Sequence, residues 1–262
     1  MSLLPRHVEL YEFQRGPRIL RVTGGDRLVE IAGIPYQPAP GLKRGRLAQS
    51  GSEAANELGI DVPRSFPLLD WLVPFIPTEP IQVRLLRVRV SDGETRRLWS
   101  GRLADVRKST TTVNLRCVNL LASMSTNGLR RCWQTACPFA LYGLDCGVDQ
   151  EDHRVNVTLS ESTGYVITAA VFGAFEDGWF AGGFVRWSDG LNVEHRFVVS
   201  HTGTELTLLT PAPPGAGLEV AGFPGCGHSI EICDDKFDNA VRYGGQHTMP
   251  KGKHPFDGTA TF

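Results

Sequence analysis

Two cysteine pairs set far apart, Cys137-x8-Cys146 and Cys226-x6-Cys233, constrain this chain more than any other feature of its sequence. Each lies in a stretch dense in Gly, Pro, Asp and aromatic residues, ACPFALYGLDCGVD for the first and PGCGHSIEICDDKFDNAVRYGGQ for the second. Thiolates are strong ligands for soft metals, so four of them converging from two loops would close an all-thiolate site and staple the last third of the chain. Structural zinc usually takes ligands about two to four residues apart, and spacings of eight and six are loose for it. A cubane iron–sulfur cluster is larger and is held by four cysteines from irregular loops, although neither familiar ferredoxin spacing occurs here. On the pattern alone a cluster, a zinc ion and no metal all stay open.

The rest of the chain reads as β-structure. With 29 Gly and 17 Pro in 262 residues and few stretches of helical period, many short strands joined by turns are expected. Val113, Leu115 and Cys117 alternate with Thr112, Asn114 and Arg116, which puts Cys117 on the apolar face of a strand. Ile81, Val83 and Leu85 share one parity while Leu86, Val88 and Val90 share the other, so a β-bulge at Leu85-Leu86 is expected to restore one buried face of a barrel-like unit. Phe66 to Pro77 is strongly apolar, but Pro67, Pro74 and Pro77 forbid a long helix. It reads as a short helical turn under the barrel or a sticky loop for a neighbouring subunit.

Strands are expected again over Gly178 to Ser188, Asn192 to Val199, Glu205 to Thr210 and Leu218 to Gly222. Ser200-His201-Thr202-Gly203 and Trp187-Ser188-Asp189-Gly190 read as their turns. The chain divides near Gly128 to Trp133. Residues 1–130 form an N-terminal β-barrel region, and residues 131–262 a small antiparallel β-domain with the cysteine loops before and after its strands.

Net charge is −1, so no global basic field recruits nucleic acid or an anionic membrane. Arg84, Arg87, Arg89, Arg96, Arg97, Arg102, Arg107 and Lys108 do cluster in sequence against Asp92, Glu94 and Asp105. Spread-out charges of this kind mark the polar faces of strands or a subunit contact, with binding to passing DNA as the alternative. No apolar run is long enough to span a membrane and the N-terminus lacks a signal segment, so a protein kept in a reducing cytosol is expected, its six cysteines thiols or metal ligands rather than disulfides.

The block GCGHSIEICDDKFDNAVRYGGQHTMP resembles the GC-x6-C-x2-KF-x-N-x3-Phe/Tyr-GG signature of phage tail-tip hub proteins, and CPFALYGLDCGVD resembles their C-x8-CG-[VA]-D block. The family is that of the tail-tip protein of lambda-like siphophages and the hub of gene transfer agents, and the similarity covers about residues 131–250. It implies that Cys137, Cys146, Cys226 and Cys233 bind a [4Fe–4S] cluster. It further implies an all-β virion protein, a baseplate or tail-tip hub subunit that closes the tail tube as a homotrimer. The distal tail protein above, the tape-measure protein in the lumen and central fibre proteins below are the implied partners, and DNA passes nearby only during ejection. Because the chain ends at Phe262, fibre or receptor attachment is expected of a separate chain, and the tail from Met249 to Phe262 is expected to lie against the domain or a neighbouring subunit.

Other chemistry in the sequence reads as structural. Cys132 is a half-buried free thiol, and His228 a donor toward a cluster sulfur or a solvent-facing side chain. Asp234, Asp235 and Asp238 mimic the start of a calcium loop, but Lys236 takes a ligand position and the required Gly is missing. No HExxH, GxSxG or P-loop pattern occurs. His195 runs in phase with Val193, Phe197 and Val199 and reads as an inward-facing core residue. The chain is therefore expected not to be an enzyme. A redox iron–sulfur protein and a zinc-stapled binding module are the competing readings.

Overall fold

In a computed structural model of the full chain, the described residues are 7–47, 57–72, 77–119, 131–188, 190–212 and 215–249. They form an all-β protein with one short α-helix. The chain separates into two compact units, Met1–Asn127 with Asp189–Val193, and Gly128–Ser188 with Glu194–Phe262.

The first unit holds strands β1 (His7–Arg15), β2 (Arg18–Thr23), β3 (Val29–Ile31), β4 (Ile34–Pro38), β5 (Lys43–Arg44), β6 (Leu58–Pro63), β7 (Gln82–Arg89), β8 (Thr95–Lys108) and β9 (Thr112–Asn119). They make one sheet in the order β3-β4-β2-β1-β7-β8-β9-β6-β5, with β2 and β4 parallel and the other pairs antiparallel. The barrel-like unit expected from the sequence is a sheet curled into a half-barrel, with bulges at Leu85/Leu86 and Leu103/Asp105.

The parity slip in β7 is real, but its cause differs from the expectation. Leu85 pairs with Trp99 and Leu86 with Arg97, so the extra residue is Leu98 on β8. The slip does not restore a single buried face. Val83 and Leu85 join the main core with Tyr11, Phe13, Leu58, Ile60, Val113, Leu115 and Cys117. Leu86 and Val88 lie under a second small cluster with Leu10 and Tyr36. Strand β1 switches at the same level, Leu10 pairing with Leu86 and Tyr11 with Leu85, so the sheet buries apolar side chains on both faces.

Cys117 is fully buried in the main core, as its alternation predicts, and burial pushes its thiol up to about 12. Pro67–Trp71 is a 3₁₀ turn that buries Leu68 and Leu69, which is the helical-turn reading of that segment; residues 73–76 lie outside the described residues. Half of the arginine cluster is paired on strand faces. Arg84 meets Glu12, Arg87 meets Glu9, Arg89 meets Asp92 and Glu94, and Arg107 meets Asp105.

The second sheet contains β10 (Val155–Thr158), β11 (Glu161–Thr163), β12 (Val166–Thr168), β13 (Phe184–Ser188), β14 (Val193–Thr202), β15 (Glu205–Leu208) and β16 (Glu219–Phe223), in the order β10-β16-β13-β14-β15-β12-β11. The β14–β15 hairpin closes on Gly203 and Thr204, with Gly203 at φ +54°. The Trp187–Gly190 turn includes Asp189, outside the described residues, as is the tail beyond Met249. Phe172, Phe180, Val185, Val198 and Leu206 fill this unit's core.

β14 is turned over relative to its reading in the sequence. Glu194, Arg196 and Val198 point inward, and Val193, Phe197 and Val199 are about half exposed. His195 lies on that outer face, half-buried against Phe184 with ring centroids 5.5 Å apart. The inward ion pair, Glu194 to Arg196 at 3.2 Å, is almost completely buried; Arg196 also bonds the carbonyls of Pro211 and His195 and lies over the Trp187 ring. Those added partners are what let a buried charge pair persist.

Candidate metal centre

The first cysteine block, residues 131–150, contains turns but no regular element, and the second is a loop leading into α1 (Ile230–Phe237). The helix starts where Ser229 caps it, its side chain accepting from the Ile232 amide, and stops at Asp238, which adopts the left-handed conformation. Cys226 thus sits before the helix and Cys233 on its buried side. Asp234, Asp235 and Asp238 belong to this helix and its cap and are exposed. The sequence held the N-cap signal at Ser229, yet eight helical residues are too few for periodicity to reveal.

Irregular loops need partners for their backbone groups, and these two blocks supply them to each other. The Cys137 amide donates to the His228 carbonyl at 2.9 Å and the Gln246 amide to the Gln134 carbonyl at 2.8 Å. The Tyr243 hydroxyl donates toward the carbonyls of Thr135 and His228 at 2.7 and 3.0 Å. The Asn239 side-chain amide donates to the Cys146 carbonyl, while the Asn239 backbone amide donates to the Cys233 carbonyl and the Cys233 thiol to the Asn239 carbonyl. Gly245 is required by close approach: a Cβ there would lie 2.3 Å from the Thr135 carbonyl oxygen.

An aromatic cluster ties the site to the sheet. Tyr142 meets Phe184, Phe223 and Phe237 edge-on with centroids 6.0 to 6.3 Å apart, and its hydroxyl bonds the Pro224 carbonyl at 2.8 Å. Phe184 stacks on Phe223 at 4.5 Å.

The four sequence-predicted cysteines lie on two loops that bond to each other. Cys137, Cys146 and Cys226 are partly buried, Cys233 is buried, and all are free thiols. Burial pushes the Cys226 thiol up and the Cys233 thiol up to about 11. Thiolate charge adds to both shifts, from Cys146 and Cys137 on Cys226, and from Cys226, Cys146 and Cys137 on Cys233. Two N–H groups face sulfur: the His228 amide lies 3.3 Å from Cys226 Sγ and Asn239 Nδ2 lies 3.8 Å from Cys146 Sγ. His228 acts through its backbone, held at φ +58°, rather than through its ring. Cys132 is exposed, in contrast with the half-buried thiol expected.

Sequence reasoning missed Lys236. Its ammonium is drawn in beneath the Cys226 loop, bonding the carbonyls of Trp179 and Gly225, and lies 4.4 Å from the Trp179 ring centroid. The motif did contain this lysine, but nothing in the sequence showed that its side chain turns inward.

Among the described residues, no three His, Cys, Asp or Glu side chains stand close enough together to share one metal ion, and no helix is long and apolar enough to cross a membrane.

With the geometry in hand, the chain can be set beside known proteins. A family model described as "Phage conserved hypothetical protein BR0599" matches residues 178–253, the part that runs from the second sheet through the second cysteine block. No curated protein matches the chain. A solved chain titled "Virion of native gene transfer agent (GTA) particle" is similar over 98% of this chain and 94% of that one, with a TM-score of 0.76 and 19% identity. The fold is therefore one found in a virion particle.

Proposed function

We propose that this chain is a structural virion protein, a tail-tip or baseplate hub subunit of a long-tailed phage or phage-like particle, whose second unit is locked by a [4Fe–4S] cluster on Cys137, Cys146, Cys226 and Cys233. The observation that carries the proposal is the meeting of two cysteine pairs, distant in sequence, at one site knitted by bonds between their loops. The likeness to a virion chain and the phage family match support the virion setting.

The donor set fits the group. Four thiols with two N–H donors on sulfur and no carboxylate among them form a soft site. Burial raises the proton affinity of the Cys226 and Cys233 thiols, so a cationic centre would be needed to hold these two as thiolates. A single zinc with bonds of about 2.3 Å draws its sulfurs to about 3.8 Å apart. A polynuclear core suits ligand spacings of eight and six residues better than a single ion does.

When bound, the cluster supplies four iron–thiolate bonds. The role is architectural: closing the loop of about 80 residues between Cys146 and Cys226 removes unfolded-state entropy, on the order of 4 kcal/mol. The second unit would then dock central fibre proteins, while the first joins the ring that continues the tail tube beneath the distal tail protein, with the tape-measure protein in its lumen. The homotrimer belongs to the same reading. Half-exposed Phe197 and Val199 on β14, with exposed Leu209 bonded beside Phe197, support a surface meant for assembly.

Anaerobic purification tests the centre: about four iron and four sulfide per chain are expected. One zinc per chain without sulfide would overturn it. Antibody labelling of intact particles should mark the tail tip, and labelling elsewhere would overturn the hub assignment.

A further inference from the structure

We infer that Lys236 is a positioning residue of the thiol site and its resident counter-charge, joining the helix that carries Cys233 to the loop that carries Cys226. This inference rests on the cluster reading above. Lys236 stands three residues after Cys233 in α1, and Nζ bonds the carbonyl of Gly225, the residue before Cys226, at 2.7 Å. The same ammonium bonds the Trp179 carbonyl, which also accepts from the Gly225 amide at 3.3 Å. Lys236, Gly225 and Trp179 therefore form a closed three-cornered contact that fixes where Cys226 leaves the sheet. Gly225 is hemmed in on its other side, since a Cβ there would lie 1.8 Å from the Ala181 carbonyl oxygen.

Burial of an ammonium is costly without anionic or strongly polar partners. Two carbonyls and the Trp179 ring supply part of that, and the charge of Cys226 favours the protonated form of Lys236, against the burial that pushes it down to about 8. A cubane held by four thiolates carries net negative charge, and one more electron increases it. An ammonium held by the Gly225 carbonyl, one residue before Cys226, would stabilise the reduced form of such a cluster more than the oxidised one.

The test uses the full chain, isolated without oxygen, with dithionite as one-electron donor; a bound cluster would take up one electron, from the 2+ to the 1+ core, with dithionite oxidised in exchange and no bond to the protein made or broken. Lys236→Met and Lys236→Gln are compared with Lys236→Arg by iron content and by EPR-monitored redox titration. The neutral variants should keep their iron yet hold the electron about tenfold less tightly, a shift of about 59 mV to more negative potential for a one-electron couple. Lys236→Arg should stay close to the parent. A neutral variant that is fully loaded and has the parent's potential would overturn the inference. If both neutral variants fail to fold, a folded, iron-loaded Lys236→Arg supports the counter-charge, and its failure too would reduce Lys236 to a packing residue. A parent protein without iron defeats the cluster reading itself, an outcome distinct from all of these.

Discussion

Asn239 and Cys146, 93 residues apart in the chain, are joined directly: the asparagine side chain donates to the cysteine carbonyl at 2.9 Å and lies 3.8 Å from its sulfur. Since Asn239 also exchanges backbone and thiol bonds with Cys233, a single residue couples one cysteine of each pair. Replacing Asn239 by Ala strands the Cys146 carbonyl in a partly buried place. A loss of about 1–3 kcal/mol in the unfolding of the second unit is expected and, under the cluster proposal, faster loss of iron to a chelator; unchanged unfolding free energy would count against the coupling.

Gly225 tests the backbone at the same site. A methyl group there meets the Ala181 carbonyl oxygen and the Gly183 amide, both main-chain atoms that cannot swing aside. Gly225→Ala should therefore displace Cys226 and, under the cluster proposal, lower iron content per chain well below that of the parent, while far-ultraviolet circular dichroism remains β-type.

The buried pair Glu194–Arg196 behaves differently when broken and when removed. Arg196→Met alone removes the guanidinium 3.2 Å from the buried Glu194 carboxylate and should cost about 3–5 kcal/mol. The double variant Glu194→Leu/Arg196→Met should recover much of that loss. Denaturant titration of the three proteins measures the difference, and a double variant no better than the single one would contradict it.

In the first unit, acid sensitivity is expected to centre on Glu9. The bonded Arg44 guanidinium holds its carboxyl below the usual range, against the opposing effect of burial, with Arg87 helping. A carboxyl with a depressed folded-state pKa contributes stability that is present above its unfolded pKa and lost as pH falls through the folded one. Thermal unfolding between about pH 5 and pH 2 should therefore show a steeper decline for the parent than for Glu9→Gln. Equal slopes would remove Glu9 from that account.

The candidate cysteine site stands out in the sequence because residue type and spacing define it, and the structure adds that its two loops bond to each other. The strand face of Cys117 was equally plain, since Val113, Leu115 and Cys117 face one core without interruption. β14 misled for a physical reason: the exposed residues are the apolar ones, and the inward positions hold two opposite charges that satisfy each other. Periodicity finds a stripe but not which way it points. Strands β10, β11 and β12, with four, three and three residues, are too short to alternate visibly and exist because neighbours pair with them, β16 with β10, β15 with β12, and β12 with β11. The bulge was foreseen at the right level, yet its extra residue belongs to the neighbouring strand, which only the pairing partner could reveal.

The mutual dependence of the two cysteine blocks also sets a timetable. Residues 131–150 find their main-chain partners in segments as late as Gln246, so during synthesis the earlier block must wait for nearly the whole remainder of the chain. At roughly 5–20 residues per second that delay lasts on the order of 5–20 s, during which its thiols are open to any oxidant or stray metal in the cell.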